Sequence, residues 1–288
     1  MKEFKGKVAV VTGGASGIGR AMAERFATEG MKIVLADVEE QALSQAVAEL
    51  KSKGAEVAGI VTDVSDGKQV AALAEKTLAT FGSVHIICNN AGVGGDGAPS
   101  WELEPETWQW VIGVNLWGVI HGIRAFVPIM LKQGTEGHVV NVASMAGLLT
   151  GPLLSPYYAT KHAVVALSEC LHYELAVSGA KVRASVLCPG FVSTNIMDSN
   201  RNRPDDLRVE DRPKTPIQVA MEEAFRKQVE AGIPPSQVAN LVFEAIRDEK
   251  FYIFPHPDLL EAYGEYSEVV RGKRNPVLNL ERLAVQVD

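Results

Sequence analysis

Residues 7–19 read Lys-Val-Ala-Val-Val-Thr-Gly-Gly-Ala-Ser-Gly-Ile-Gly, and an amphipathic stretch follows at once. An apolar, β-branched run, a glycine-rich turn and a helical pattern in direct succession open a βα unit. The same rhythm recurs along the chain. Short strand-like runs are expected at 7–11, 32–36, 56–61, 84–88, 137–143, 181–187 and 251–254. Helical patterns lie between them near 17–29, 39–53, 67–80, 105–133, 157–178 and 235–248, long enough to be crossovers. Alternation of this kind predicts a seven-stranded parallel sheet covered by helices on both faces, an α/β fold. Gly30, Gly54 and Gly82 fall just after helical patterns, where a glycine can close a helix.

The chain of 288 residues is 47% apolar and 22% charged, a composition that can bury a large core. One large domain is expected over residues 1–255, with a C-terminal extension over 256–288. A lid-like insertion is expected at about 192–232. Its first part, 198–216, is polar, charged and proline-bearing and reads as a mobile loop, and a helix is expected near 217–231. Such an insertion lies beside the carboxyl edge of the sheet, where ligands bind in open α/β folds.

Lysine and arginine number 28 against 35 acids, a net charge of −7, and no basic cluster interrupts that balance, which argues against nucleic acid as a partner. Cys88, Cys170 and Cys188 are odd in number, widely spaced and in no Cys-x-x-Cys pair, which argues against a disulfide framework or a zinc site. The apolar run after the N-terminus is too short for a signal-peptide core, so a cytoplasmic location is expected. Residues 111–131 have the length and apolarity of a membrane span, but they contain Asn115, His121, Arg124 and Pro128, which suit a buried helix in a protein better than one in lipid.

Strand one runs into Gly13, Ala15, Ser16, Gly17, Ile18 and Gly19. Glycines there permit close backbone approach, and the helix N-terminus offers unpaired amides to a pyrophosphate. The spacing G-x-x-x-G-x-G departs from the better-known G-x-G-x-x-G, and a plain strand-to-helix turn is the alternative. Asp37 closes strand two, eighteen residues beyond Gly19 and close to the roughly 20 expected of a ribose-binding acid. Its carboxylate can accept both ribose hydroxyls and would repel a 2′-phosphate, and neither Val38 nor Glu39 is a cation, so NAD is expected over NADP. Asp63 and Val64 follow strand three and can bracket an adenine, although an aspartate there can equally cap the next helix. Asn90, Ala91 and Gly92 follow strand four at the same edge, with both structural and ligand roles open to them.

Tyr157 and Lys161 stand four residues apart in an expected helix, hence on one face, with Ser144 thirteen residues earlier at the end of strand five. Together with the glycine motif, Asn89-Asn90-Ala91-Gly92, Asn115 and Pro189-Gly190, this ordered set resembles the short-chain dehydrogenase/reductase family over about residues 5–255. The resemblance implies a Rossmann-like doubly wound sheet and NAD(P)-dependent alcohol and carbonyl chemistry. It also implies a catalytic group of Asn115, Ser144, Tyr157 and Lys161. A phenol with a pKa near 10 is a poor base at neutral pH. An adjacent ammonium and an oxidised nicotinamide would favour the phenolate, and lowering the phenol by about three units corresponds to roughly 4 kcal/mol.

Tyr157 is therefore expected as general acid/base, Lys161 as its tuning cation and ribose ligand, and Ser144 as a hydrogen-bond donor to the substrate oxygen. Asn115 would hold a relay water in the family pattern, or else satisfy buried backbone. Pro189, Gly190, Val192 and Thr194 resemble the segment lying against nicotinamide. Tyr158, with His162 four residues on, is the decoy for Tyr157.

Met145, Leu149, Leu154, Phe191 and Met197 are expected to line an apolar substrate pocket, with Val93 and Trp101 as additions, or else to pack a subunit interface. No arginine lies between Ser144 and Tyr157 to clamp a carboxylate, which favours a small lipophilic secondary alcohol or ketone as substrate. A homodimer or homotetramer is expected by analogy with the family. The alternatives are a non-catalytic NAD-binding regulator, opposed by the intact Ser, Tyr and Lys, and an epimerase or dehydratase, opposed by the short region after strand six.

Overall fold

β1 (Val8–Thr12) is buried along its whole length, and its two faces feed two different layers. Ala9 and Val11 join one core with Met22, Phe26, Leu43 and Phe243, while Val8 and Val10 join the other with Leu73, Phe126, Met130 and Leu171. A strand that must bury both faces reads as an unbroken apolar run, which is what residues 8–11 are. The computed structural model describes residues 1–210 and 212–278. The end of the expected C-terminal extension, 279–288, lies outside the described residues, as does Asp211 of the expected insertion.

From β1 the chain passes through α1 (Gly17–Thr28), β2 (Lys32–Asp37), α2 (Glu40–Ser52), β3 (Val57–Val61), α3 (Gly67–Phe81) and β4 (Ile86–Asn89). It continues through α4 (Pro105–Ile112), α5 (Gly118–Gln133), β5 (Gly137–Val142), α6 (Ser155–Val177) and β6 (Val182–Leu187). Beyond the sheet's sixth strand come α7 (Pro216–Glu230), α8 (Pro235–Asp248), β7 (Tyr252–Ile253) and α9 (Pro257–Arg271). The seven strands form one parallel sheet in the order β3-β2-β1-β4-β5-β6-β7, the doubly wound, Rossmann-like arrangement. The order reverses between β1 and β4, so the loops leaving those two strands part there and open a crevice at the carboxyl edge.

Two expectations are corrected. The helix expected over 105–133 is α4 and α5 joined by a π-helical turn at Gly113–Trp117, which carries Asn115. An apolar periodicity cannot distinguish four from five residues per backbone bond over one turn, so only the flanking Gly113 and Gly118 hint at it. The last strand is shorter than expected, Tyr252–Ile253, although the Phe251 carbonyl still accepts the Val186 N–H at 2.8 Å.

The stretch Pro105–Gln133 is long and apolar enough to cross a membrane by length and composition alone. Phe126, Val127 and Met130 pack it onto the sheet, and Asn115 reaches into the crevice loops. Those contacts place part of the stretch in a core layer of the fold.

Candidate active site

The crevice is knitted together where β1 and β4 end. Thr12 Oγ1 accepts the Asn90 and Ala91 N–H groups at 2.9 and 3.1 Å, and the Asn90 side chain donates back to the Thr12 carbonyl at 2.8 Å. A Cβ on Gly19 would lie 2.1 Å from the Gly13 carbonyl oxygen, and one on Gly13, at φ +61°, 2.9 Å from the Ala91 Cα. These glycines are required by loop-on-loop packing, and the same tightness leaves the N-terminus of α1 open towards the crevice. Ser16 precedes that helix and makes no side-chain cap, so the first-turn amides are left for a ligand. Thr194, arriving from beyond β6, sits against Gly17, where a Cβ would meet its Cγ2 at 3.2 Å. Ala15, Gly17 and Gly19 belong to this cradle through backbone and packing and do not line the cavity itself.

Asp37 is buried at the tip of β2 and accepts the Ala15 N–H at 2.9 Å and the Glu39 N–H at 3.1 Å. Burial lifts its carboxyl above the usual range, against the lowering from those two amides. One end of the carboxylate therefore fixes the phosphate loop while the residue faces the cavity. Asp63 and Val64 line the same cavity. Asp63 holds the Ser65 N–H and hydroxyl at 2.9 and 2.7 Å, and the residue that caps α3 is Asp66, through the Lys68 N–H at 2.8 Å. Asn90, Ala91, Gly92, Pro189, Gly190, Val192 and Thr194 are all cavity-lining.

Ser144 lies two residues beyond β5 in extended backbone, its Oγ accepting the Ala146 N–H at 3.1 Å. Its hydroxyl donates to the Pro189 carbonyl at 3.3 Å, and it lies near the Tyr157 phenol, which projects from the first turns of α6. Lys161, one turn further on, is 4% exposed, donates to the Val142 carbonyl at 3.0 Å, and holds its Nζ 5.5 Å from the Tyr157 ring centroid. The turn after Ser144 fits against α6 only because residue 147 is glycine, where a Cβ would come 2.6 Å from the Lys161 carbonyl oxygen.

Ser144, Tyr157 and Lys161 are thus brought together. Asn115 lies beside them, fully buried, with both ends of its amide on Val93: Oδ1 accepts the Val93 N–H at 2.8 Å and Nδ2 donates to the Val93 carbonyl at 2.9 Å. Its side chain fixes the loop after β4.

The electrostatics of the protein alone differ from the expected depressed phenol. Burial pushes Tyr157 above its ordinary value, outweighing the lowering from nearby Ser144. Burial also pushes Lys161 down to about 8. Tyr158 is pushed up to about 12 by burial, and its hydroxyl stands where a Cβ on Gly151 would be, 2.6 Å away.

Ser144, Tyr157, Tyr158 and Lys161 open into one cavity of about 1560 Å³, which Asn115 does not line; it is larger than the roughly 300–1,000 Å³ of a single small-ligand pocket and so roomy enough for a dinucleotide beside a substrate. Met145, Leu149, Leu154, Phe191 and Met197 line it, as does Val93. Trp101 does not: it is 85% exposed on the loop before α4. Trp110, Phe225 and the face of α9 also line the cavity and were not legible as pocket residues, because they come from elements remote in sequence.

The insertion after β6 is tied down on two sides. Buried Arg203 pairs with Asp96 at 2.5 Å and donates to Thr107 at 2.8 Å, and Arg201 pairs with Glu39 at 2.7 Å. It therefore crosses the cavity mouth from the α4 side to the β2 side.

A family model described as short chain dehydrogenase matches residues 7–205. Among solved structures, the chain is similar to a short chain dehydrogenase/reductase from Burkholderia phymatum in complex with NAD. The identity is 49% and the TM-score 0.94, covering 97% of this chain and 99% of that one. It is 35% identical to a CLA biosynthesis dehydrogenase/reductase of Lactiplantibacillus plantarum, over 90% of this chain and 91% of that protein. It is 36% identical to a 1-deoxy-11-beta-hydroxypentalenate dehydrogenase of Streptomyces exfoliatus, over 88% of this chain and 84% of that protein.

Proposed function

The chain belongs to the short-chain dehydrogenase family of oxidoreductases, and from that premise we propose that it interconverts a lipophilic secondary alcohol and its ketone with NAD. The observation that carries the reading is the meeting of Ser144, Tyr157 and Lys161 at the floor of one large cavity with apolar walls. The residues present fit the dinucleotide: the glycine cradle and open N-terminus of α1 suit a pyrophosphate, and buried Asp37 at the tip of β2 suits an adenosine ribose. Asp37 also makes a 2′-phosphate costly, which favours NAD over NADP. The NAD-bound structure at 49% identity supports the same choice.

When bound, the nicotinamide supplies the hydride acceptor or donor, and the protein supplies the proton and the positioning. In alcohol oxidation Tyr157 Oη takes the hydroxyl proton as the carbinol C–H bond gives up its hydride, leaving the ketone. In reduction it returns that proton to the carbonyl oxygen. Ser144 Oγ donates to the substrate oxygen and stabilises charge developing there. The nearby charge of Lys161 favours the phenolate, the form that accepts the proton, and Lys161, which lines the cavity, would hold the nicotinamide ribose. Asn115, pinned on Val93, positions the loop beside the cofactor crevice.

The assembled triad weighs against the non-catalytic alternative. Exposed Trp117 and Leu131 on the π turn and α5, and Tyr173 and Val177 on α6, offer faces for the homodimer or homotetramer that belongs to the same proposal, as does a cytoplasmic location.

Tyr157→Phe is expected to lower hydride transfer by at least about a thousandfold while NADH still binds, as read by its fluorescence. Tyr158→Phe is expected to keep most activity. The opposite pattern would assign the proton transfer to Tyr158.

A further inference from the structure

His256 stands immediately before α9, and its imidazole spans the segment that follows Pro189. The Gly190 N–H donates to Nδ1 at 3.0 Å, and Nε2 lies 2.9 Å from the Phe191 carbonyl oxygen. A backbone N–H can only donate and a carbonyl can only accept, so the ring is the neutral tautomer with its proton on Nε2. Gly190 has no side chain for a related reason. A Cβ there would fall 2.5 Å from Leu259 Cδ1 and 3.0 Å from His256 Cγ, so the start of α9 occupies the space that a side chain at 190 would fill. The C-terminal helix is thereby fastened directly to the backbone bordering the catalytic cavity.

The face that α9 presents to the cavity is mostly apolar and regular, with Glu265 as its one carboxylate among the described residues. Leu259, Ala262, Tyr266 and Val269 recur at helical spacing on one side, and all four line the cavity that holds Ser144 and Tyr157. None of them is fully buried, although each faces inward, because what lies in front of them is open cavity. Leu259 also packs with the cluster of Met145, Val165 and Cys188, which ties the first turn of the helix to the floor near Ser144.

We propose that α9 is the distal, specificity-determining wall of the substrate cavity, selecting secondary alcohols whose apolar portion is large, and that His256 is the positioning residue registering that wall against Gly190 and Phe191. The inference rests on the oxidoreductase reading above and adds to it the size of the substrate and the element that measures it. A ligand small enough to reach only Tyr157 and Ser144 would leave this apolar face wet, whereas one carrying a fused-ring or comparably bulky group covers it.

The test compares kcat/KM with NAD for propan-2-ol, 1-phenylethanol and 1-(2-naphthyl)ethanol. The wild-type protein is expected to favour the naphthyl alcohol over propan-2-ol. Ala262→Phe, which fills the space before the wall, should cut that ratio by about tenfold or more. His256→Leu should cut it too. His256→Gln, whose amide can accept from Gly190 and donate to Phe191, should restore it, a rescue that a purely apolar role for residue 256 would not give.

Calorimetric binding of 2-acetonaphthone to the protein saturated with NAD reads the wall without turnover, and Ala262→Phe should weaken it about tenfold. If both the size ratio and this binding are unchanged in Ala262→Phe, the wall is elsewhere. If binding is sensitive to Ala262 while no alcohol is oxidised by the wild type, the oxidoreductase reading fails and the wall stands. If His256→Gln behaves as His256→Leu does, the positioning role of His256 is overturned.

Discussion

Lys161 is a lysine that the fold holds at a cost. Its ordinary pKa near 10.5 is pushed down to about 8 by burial, and it donates a hydrogen bond to the Val142 carbonyl. A lysine whose folded pKa is depressed binds fewer protons folded than unfolded between about 8 and 10.5, so its penalty is full below pH 8 and fades as pH rises to 10.5. At neutral pH that penalty is on the order of 3 kcal/mol. Lys161→Met is therefore expected to raise stability by about 2 kcal/mol, seen as a higher melting temperature, while removing activity. An unchanged or lower melting temperature would mean that the ammonium is better solvated than its burial implies.

At this scale the sequence is informative where chemistry depends on spacing. Tyr157 and Lys161 are legible because four residues on a helix must share a face. The upward shift of Tyr157 is not, because it comes from how deeply the finished fold buries the phenol. Asn115 was open between a catalytic and a structural part in the sequence. Only the π turn, which spacing does not reveal, shows its amide facing Val93.

Strands and helices carry a second titration. His138 on β5 is pushed down to about 3 and His85, just before β4, to about 4, in both cases by burial first. His85 stays neutral because its Nδ1 accepts the Val8 N–H at 3.1 Å, while His138 Nε2 pairs with Ser185 Oγ at 2.7 Å. Both rings remain unprotonated in the folded sheet well below the value near 6.5 at which an unfolded histidine takes up a proton. Their stability is thus fully present above pH 6.5 and is lost as pH falls from there towards 3–4. His138→Gln should lose about 2 kcal/mol less than wild type between pH 7.5 and about pH 5 in urea unfolding. Parallel losses in the two proteins would remove His138 from the acid response.

Most of the elements were legible from period and punctuation, but their partners were not. That α9 closes the cavity depends on His256 reaching Gly190, a contact across 66 residues that no local pattern encodes. The insertion after β6 is expected as a lid from its composition. The anchors Arg203 to Asp96 and Arg201 to Glu39, which hold it across the mouth, are not legible there.

For the whole molecule, sheet order decides where chemistry can happen. The reversal between β1 and β4 opens the crevice, the glycines let its loops pack closely, and residues of the insertion and α9 line the same cavity as Tyr157. The proposed function sets a dinucleotide and a lipophilic substrate side by side there. The most direct measurement is absorbance in the reduced-nicotinamide band when the purified protein is mixed with 1-(2-naphthyl)ethanol and either NAD or NADP. Reduction of NAD, at least several-fold faster than of NADP at equal concentration and lost in Tyr157→Phe, is the expected result. Preference for NADP, or no reduction of either cofactor by an alcohol that demonstrably binds, would contradict it.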